Sequence, residues 1–242
     1  MNWIFYKMSN LPFVSCLTPT YERRKFLPVL LDIFRRQSYP SDKRELIILD
    51  DSKESNQDLI DEFLKKYPEQ KVKYIYKSEK LCLGNKRNIL NSLATGEYLM
   101  YLDDDDYYHS DKIKYAMTRM LSQKSKFSGA SEMYIYFTDT KLIYRFNKIA
   151  QNHSTAGTFC FHKSYLEGHK FDDFANKAEE KYFLDDYKTQ LIQIDPFKSI
   201  LCIAHMNNTF DKRNLLERLI KTNLKLKNFV TEKHLLEFYN SL

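Results

Sequence analysis

Four consecutive aspartates, Asp103, Asp104, Asp105 and Asp106, directly follow the apolar run Tyr98-Leu99-Met100-Tyr101-Leu102. Carboxylates at this spacing repel one another and favour the protonated form, a penalty that a bound divalent cation removes. Hard oxygen ligands suit Mg²⁺ or Mn²⁺, which complete their shells with phosphate oxygens and water. In an extended chain Asp103 and Asp105 share a face, whereas a turn after Leu102 changes which pair converges. A lone acidic run is more often a solvated turn. Here the apolar stretch before it and Tyr107 and Tyr108 behind it favour a ligand site.

Other residues add chemistry. Ala178-Glu179-Glu180, ahead of Tyr182-Phe183-Leu184, offers two carboxylates of which one within reach of a hydroxyl can act as a base. The plain alternative is a charged surface helix over residues 177–181. His205 ends the apolar run 200–204 and precedes Met206-Asn207-Asn208-Thr209, whose amides and hydroxyl are donors for phosphate oxygens. His153 lies near Thr155-Ala156-Gly157-Thr158, where Gly157 allows a close approach to the backbone.

The elements that must hold these groups read as follows. Residues 13–17, 45–49, 71–77 and 98–102 have strand character, and they alternate with helical stripes over 26–36, 57–67 and 85–93. This rhythm predicts an α/β fold with a mainly parallel sheet. Right-handed crossovers then bring the strand ends to one edge, the usual place for a ligand. Three polar clusters sit at such ends: Pro19 to Arg23, Asp50 to Ser52, and Asp103 to Asp106. A helix over 111–123 follows, then a hairpin formed by 132–137 and 142–146, and strands near 158–162 and 200–204. From Asn214 onward, leucines among lysines predict one or two helices.

At 242 residues, with 43% hydrophobic and 15% aromatic side chains, the chain is long and apolar enough for a real core. We expect one domain over 1–210, with a ligand half at 11–110 and a second half at 111–210, and an extension at 211–242 packed on it. The net charge of +6 suits a phosphorylated ligand or an anionic surface and does not by itself indicate nucleic acid. Cys16, Cys82, Cys160 and Cys202 form no CxxC pair and are expected to be free thiols. The stretch from Met1 to Phe13 is too short and interrupted for a signal peptide, and no run reaches the ~20 apolar residues of a membrane span. A cytoplasmic protein is the expectation.

Four pieces occur in the order found in family 2 glycosyltransferases, which the chain resembles over roughly residues 13–115. They are Pro19-Thr20-Tyr21-Glu22-Arg23, Leu49-Asp50-Asp51-Ser52, Gly84-Asn85-Lys86-Arg87-Asn88, and Gly96-Glu97-Tyr98 running into Leu102 to Asp106. The resemblance implies the GT-A fold, a Rossmann-like mixed and mainly parallel sheet flanked by helices, here with a C-terminal helical extension. It implies that Pro19 and Tyr21 contact the base and ribose of a nucleotide-sugar donor, that Asp51 accepts from the base, and that Arg87 approaches the base or diphosphate. Asp104 would hold the ribose or sugar and Asp105 the metal, Mn²⁺ or Mg²⁺, with Asp103 the competing ligand and Asp106 shaping the turn. His205 would contact metal or diphosphate. Glu180 aligns best with the base of inverting members, and Glu179 is the runner-up. Two departures stand out: the family often has Asn where Glu22 stands and a glycine before the serine of the Asp51-Ser52 loop.

The reading is an inverting transfer of a sugar from a nucleotide diphosphate donor, most commonly uridine in this family, to a glycan or other hydroxyl. A metal-dependent nucleotidyltransferase fits less well because Pro19 to Lys25 lacks a glycine-rich loop. A non-catalytic nucleotide-sugar or glycan-binding module is the third reading. A haloacid-dehalogenase-type phosphatase would need its nucleophile where Thr18-Pro19-Thr20 stands. The basic C-terminal stretch, with Lys212, Arg213, Arg218, Lys221, Lys225 and Lys227, is expected to pack on the domain. Weak peripheral contact with an anionic membrane is its alternative, and its leucines offer a homodimer face.

Overall fold

The computed structural model describes residues 11–242, so the expectation for the N-terminal stretch falls largely outside the described residues. The first half alternates as the periodicity predicts: β1 (Val14–Thr20), α1 (Leu27–Arg35), β2 (Arg44–Asp50), α2 (Gln57–Lys66), β3 (Val72–Tyr76), α3 (Leu83–Leu93), β4 (Tyr98–Tyr101) and α4 (Lys112–Gln123). Beyond these lie β5 (Phe127–Gly129), β6 (Met133–Phe137), β7 (Leu142–Phe146), β8 (Cys160–His162), α5 (Glu180–Phe183), β9 (Ile192–Gln193), α6 (Pro196–Ser199), β10 (Leu201–Ala204), β11 (Leu219–Lys221) and α7 (Lys233–Ser241).

One sheet runs in the order β3-β2-β1-β4-β8-β5-β9, and a smaller one in the order β10-β6-β7-β11. Strands β3, β2, β1 and β4 are parallel, and β8 enters antiparallel between β4 and β5. Every residue of β1 and β4 is buried, as strands covered on both faces must be. Alternate side chains feed two cores. Val14, Cys16, Leu46 and Ile48 pack with α1, α4 and the small sheet. Leu17, Ile47, Leu49 and Tyr101 pack with α3 and the segment around Phe171 and Phe183. A fully buried leucine such as Leu46 contributes roughly 2 kcal/mol through removal of its surface from water.

Register aligns the polar strand ends. Thr20 pairs with Asp50, and Leu17 with Tyr101, so three residues further on Asp104 reaches the level of Thr20. The first turn of α1 carries Pro28, whose fixed φ suits a helix start. Among the described residues all four cysteines are free, and Cys16, Cys160 and Cys202 are buried.

The C-terminal extension differs from the lysine-rich helices expected after Asn214. It opens as a 3-10 segment, Lys212–Arg218, and then forms β11, which pairs antiparallel with β7. A second 3-10 turn, Leu226–Asn228, precedes α7, the one regular helix there. The outer edge of β7 supplies the reason: its free backbone groups recruit residues 219–222, and the Thr222 N–H donates to the Ile143 carbonyl at 3.0 Å. Strands β5 and β9 escaped the sequence reading because three- and two-residue strands carry no periodicity.

Candidate active site

The four aspartates fan out from the end of β4, each to a different partner. Asp103 reaches across to α3, where Arg87 Nη2 lies 3.2 Å from its Oδ1. Its backbone N–H donates to the Tyr108 hydroxyl at 2.6 Å. Asp104 turns back to β1 and accepts from the Thr20 hydroxyl at 2.5 Å. Asp105 meets His205 Nε2 and Asn208 Nδ2, both at 3.0 Å from its Oδ2. Asp106 points inward and accepts the Ile203 N–H at 2.7 Å, while its carbonyl accepts from the Tyr239 hydroxyl at 3.0 Å. Asp106 therefore anchors the turn to β10 and α7.

Charge follows this geometry. Burial, reinforced by the charge of Asp105, holds the Asp104 carboxyl well above the usual carboxylate range. The same two causes push Asp106 up to about 7. Burial acts on Asp105 as well, but the His205 hydrogen bond and the Lys212 charge outweigh it and bring Asp105 down to about 2. Asp105 is thus held ionised while Asp104 and Asp106 are pushed towards the neutral form.

Lys212 belongs to the basic C-terminal stretch expected simply to pack on the domain. Instead it lines the acidic cleft together with Asp105 and Asp106, and its Nζ donates to the Ile203 carbonyl at 3.2 Å. Burial disfavours its charge, yet Cys202 and the carboxylates of Asp106, Asp105 and Asp103 outweigh that and keep it protonated. Only an unusual inward lysine after a polar turn could have signalled this role. Arg23 completes the wall, with Nε 3.9 Å from Asp104 and 3.7 Å from Asp105.

Pro19, Tyr21 and Lys86 line the same cleft. The Lys80 ammonium sits 4.0 Å above the Tyr21 ring. Asp51 is buried, with Oδ1 2.7 Å from Lys86 Nζ and Oδ2 accepting the Leu81 N–H at 2.7 Å. It holds the β2 and α3 loops together, and its side chain is fully buried there and does not line the cleft. Glu22 adopts φ 54°, the left-handed region that asparagine tolerates better than glutamate. Its own N–H donates to the Ser52 hydroxyl and its carboxylate accepts the Lys53 N–H, both at 2.7 Å. Those bonds hold the departure from the family pattern in place without a glycine in the facing loop.

The acidic pair divides. Glu179 is buried and accepts from Arg87 Nε at 2.9 Å. Arg87 is 3% exposed, stacks over the Tyr101 ring at 4.4 Å, and leaves Nη1 with no partner among the described residues. Glu180, the first residue of α5, is half-buried. Burial and the neighbouring Glu179 charge push its carboxyl up to about 7. His153 is buried, bonds the Ser131 hydroxyl at 2.8 Å and packs on Tyr187 at 5.1 Å between ring centroids. Burial depresses its pKa, so the ring is neutral. Gly157 faces Asp103, whose Oδ2 would lie 2.8 Å from an added Cβ.

Among the described residues no three His, Cys, Asp or Glu side chains converge as a metal cage. Asp105 Oδ2 and His205 Nε2, 3.0 Å apart, have the separation of adjacent ligands on an octahedral ion with bonds of about 2.1 Å. That pair fits a Mg²⁺ or Mn²⁺ ion that draws the rest of its shell from phosphates and water. The Asn207 N–H donates to His205 Nδ1 at 3.2 Å, which assigns the imidazole proton to Nε2, facing Asp105. His205 therefore orients Asp105 in this arrangement. Nε2 can join a metal only after that proton moves.

Residues 15–167 match the model of glycosyl transferase family 2. The chain belongs to this family. It has the GT-A fold, and the family match does not favour the nucleotidyltransferase reading. It is 29% identical over 118 residues to a putative teichuronic acid biosynthesis glycosyltransferase of Bacillus subtilis, a match covering 48% of this chain and 45% of that one. It is 32% identical over 108 residues to the amylovoran biosynthesis glycosyltransferase AmsB of Erwinia amylovora, covering 44% and 35%. The matched stretches span less than half of either relative.

Among solved structures, Staphylococcus aureus TarS 1-349 in complex with UDP-GlcNAc superposes with a TM-score of 0.67 at 16% identity, covering 81% of this chain and 60% of that chain. The Pyrobaculum calidifontis mannosyltransferase PcManGT, in complex with GDP-Man and Mn²⁺, gives 0.62 at 15% identity, covering 84% and 60%. These likenesses show the shared fold.

Proposed function

We propose that this family 2 enzyme moves one sugar from a nucleoside diphosphate donor, uridine being the preferred base, to a hydroxyl acceptor with inversion. The observation that carries the reading is the division of the acidic pair. Glu179 is committed to Arg87, whereas Glu180 has no recorded side-chain partner among the described residues and a carboxyl raised to about 7. A base poised near neutral pH suits removal of a hydroxyl proton.

Glu180 takes the acceptor proton as the acceptor oxygen attacks the anomeric carbon. The bond from that carbon to the diphosphate oxygen breaks from the opposite face, and the configuration inverts. Tyr21 and Pro19 hold the base and ribose, Asp51 fixes Lys86 beside them, and Asp104 and Asp103 border the donor sugar. The departing diphosphate meets fixed positive charge from Lys212 and Arg23 and the unpartnered Nη1 of Arg87, donors that need no reorganisation during the reaction. Asp105, joined by His205, would hold a divalent ion, which when bound neutralises charge on the diphosphate. Support comes from the family match and from structural neighbours whose complexes contain UDP-GlcNAc, or GDP-Man with Mn²⁺.

The test is a panel of nucleotide sugars incubated with Mn²⁺ or with chelator, read as release of nucleoside diphosphate. Turnover of a uridine diphosphate sugar that chelation abolishes is the expected result. Turnover with none of the panel, despite tight nucleotide binding, overturns the catalytic reading.

A further inference from the structure

Eight large hydrophobic side chains are exposed among the described residues, and four of them fall within one fifteen-residue stretch: Met206, Phe210, Leu216 and Ile220. Met206 is 83% exposed and Ile220 45%. Isolated exposed apolar side chains are ordinary, but a cluster of this kind marks an interaction surface. Met206 and Arg213 line one crevice at the ends of β6 and β10. Apart from Lys212, which faces the cleft, and the half-buried Leu215, the 3-10 segment Lys212–Arg218 is exposed. Ile220 lies on β11, the outer strand of the small sheet, opposite Arg145 of β7.

The charge around these side chains is basic. Arg218, Lys221 and Lys227 are exposed and form no ion pair with a described residue; the acids nearby are Asp211, already paired with Arg213 at 2.8 Å, Asp139, which lines the Met206 crevice and faces the same arginine, and Glu217. Apolar side chains set among unpaired cations match the interface of an anionic bilayer, where hydrocarbon enters the acyl boundary and ammonium and guanidinium groups meet headgroup phosphates. A second copy of this chain would bring the same positive charge against itself, which argues against self-association through this face. One feature ties the surface to the cleft: Phe210 lines the acidic cleft while belonging to the exposed cluster.

We propose that residues 206–221 dock on an anionic membrane surface and hold the mouth of the cleft at the lipid interface. The chain then works as a peripheral enzyme, and an acceptor hydroxyl carried on a lipid reaches Glu180 without leaving the membrane. The part concerning the acceptor rests on the function proposed above. The docking itself does not.

The test is co-sedimentation of the full chain with vesicles of phosphatidylcholine alone and of phosphatidylcholine mixed with phosphatidylglycerol, without nucleotide, so that failure of docking and failure of catalysis are read separately. The expected result is binding to the anionic vesicles at least about tenfold tighter than to the neutral ones, weakening with added salt. Arg218→Gln with Lys221→Gln removes the preference, and Leu216→Ser with Ile220→Ser weakens binding to both kinds of vesicle. All four positions are exposed, and an unchanged melting temperature verifies that each variant folds. Equal or absent binding to the two kinds of vesicle overturns the proposal, as does retention of full binding by both variants. Dimerisation through this face, seen as a halved elution mass in the Leu216 and Ile220 variant, also overturns it by naming a second copy as the occupant.

Discussion

Arg87 Nε donates to Glu179 Oε1 at 2.9 Å in a pair that is almost fully buried, joining α3 to the turn that begins α5. The same guanidinium meets Asp103 at 3.2 Å, so one side chain fixes the end of the aspartate run relative to the residue before Glu180. Breaking a buried pair leaves an uncompensated charge at a cost of roughly 3–5 kcal/mol. We expect Glu179→Gln and Arg87→Met each to lower stability on that scale in urea titrations. The double variant should cost clearly less than the sum. Additive losses would mean that the two side chains do not act as a unit.

The pH dependence follows from Glu180. A base must be ionised, and its raised pKa of about 7 keeps it largely protonated below that value. The rate, kcat/KM, should therefore climb with pH through about 7 and level off above it. A profile flat from acid to neutral pH would remove Glu180 from this role.

Lys212 gives two shifts of opposite sign. Its ammonium offers the diphosphate a charge-assisted contact while competing with a divalent ion for the same carboxylates. Losing such a contact costs about 1.5 kcal/mol, or roughly tenfold. Lys212→Met should weaken binding of nucleoside diphosphate without metal by about that factor and tighten binding of Mn²⁺ alone. Calorimetry reads both, and shifts in the same direction would contradict the arrangement.

Two glycines make a matched pair for stability. A Cβ at Gly84 would sit 1.9 Å from the Asp172 carbonyl oxygen, whereas one at Gly168 meets nothing within 4 Å. Gly84→Ala should force the backbone of 171–175 off α3 and cost ~1–3 kcal/mol or more. Gly168→Ala should be neutral or slightly stabilising, by up to about 1 kcal/mol. Thermal melts of the two proteins side by side decide it.

The parallel half of the fold and its polar edge were legible because β1, β2 and β4 are nearly continuous apolar runs, each stopping at a polar cluster. The position of Asp103 to Asp106 followed from that edge. Their separate partners did not, because no spacing rule says that four adjacent carboxylates will reach α3, β1, the His205 turn and β10 in turn. Glu179 and Glu180 were legible as a pair, and their division depends on Arg87 arriving from 92 positions away in the sequence. Lys212 and β11 were misread for one shared reason. Leucines and lysines over 212–221 suit a helix locally, but the acidic cleft draws Lys212 inward and the open edge of β7 draws residues 219–221 into a sheet, and both are long-range effects.

The most direct measurement is turnover of a uridine diphosphate sugar with Mn²⁺ by the unaltered chain, Glu180→Gln and Asp105→Ala, together with calorimetric binding of uridine diphosphate. Glu180→Gln should lose turnover by about 10²–10⁴-fold with nucleotide affinity intact. Asp105→Ala should lose turnover together with the Mn²⁺-dependent part of the affinity. Unchanged turnover in both variants would contradict the roles proposed for these carboxylates.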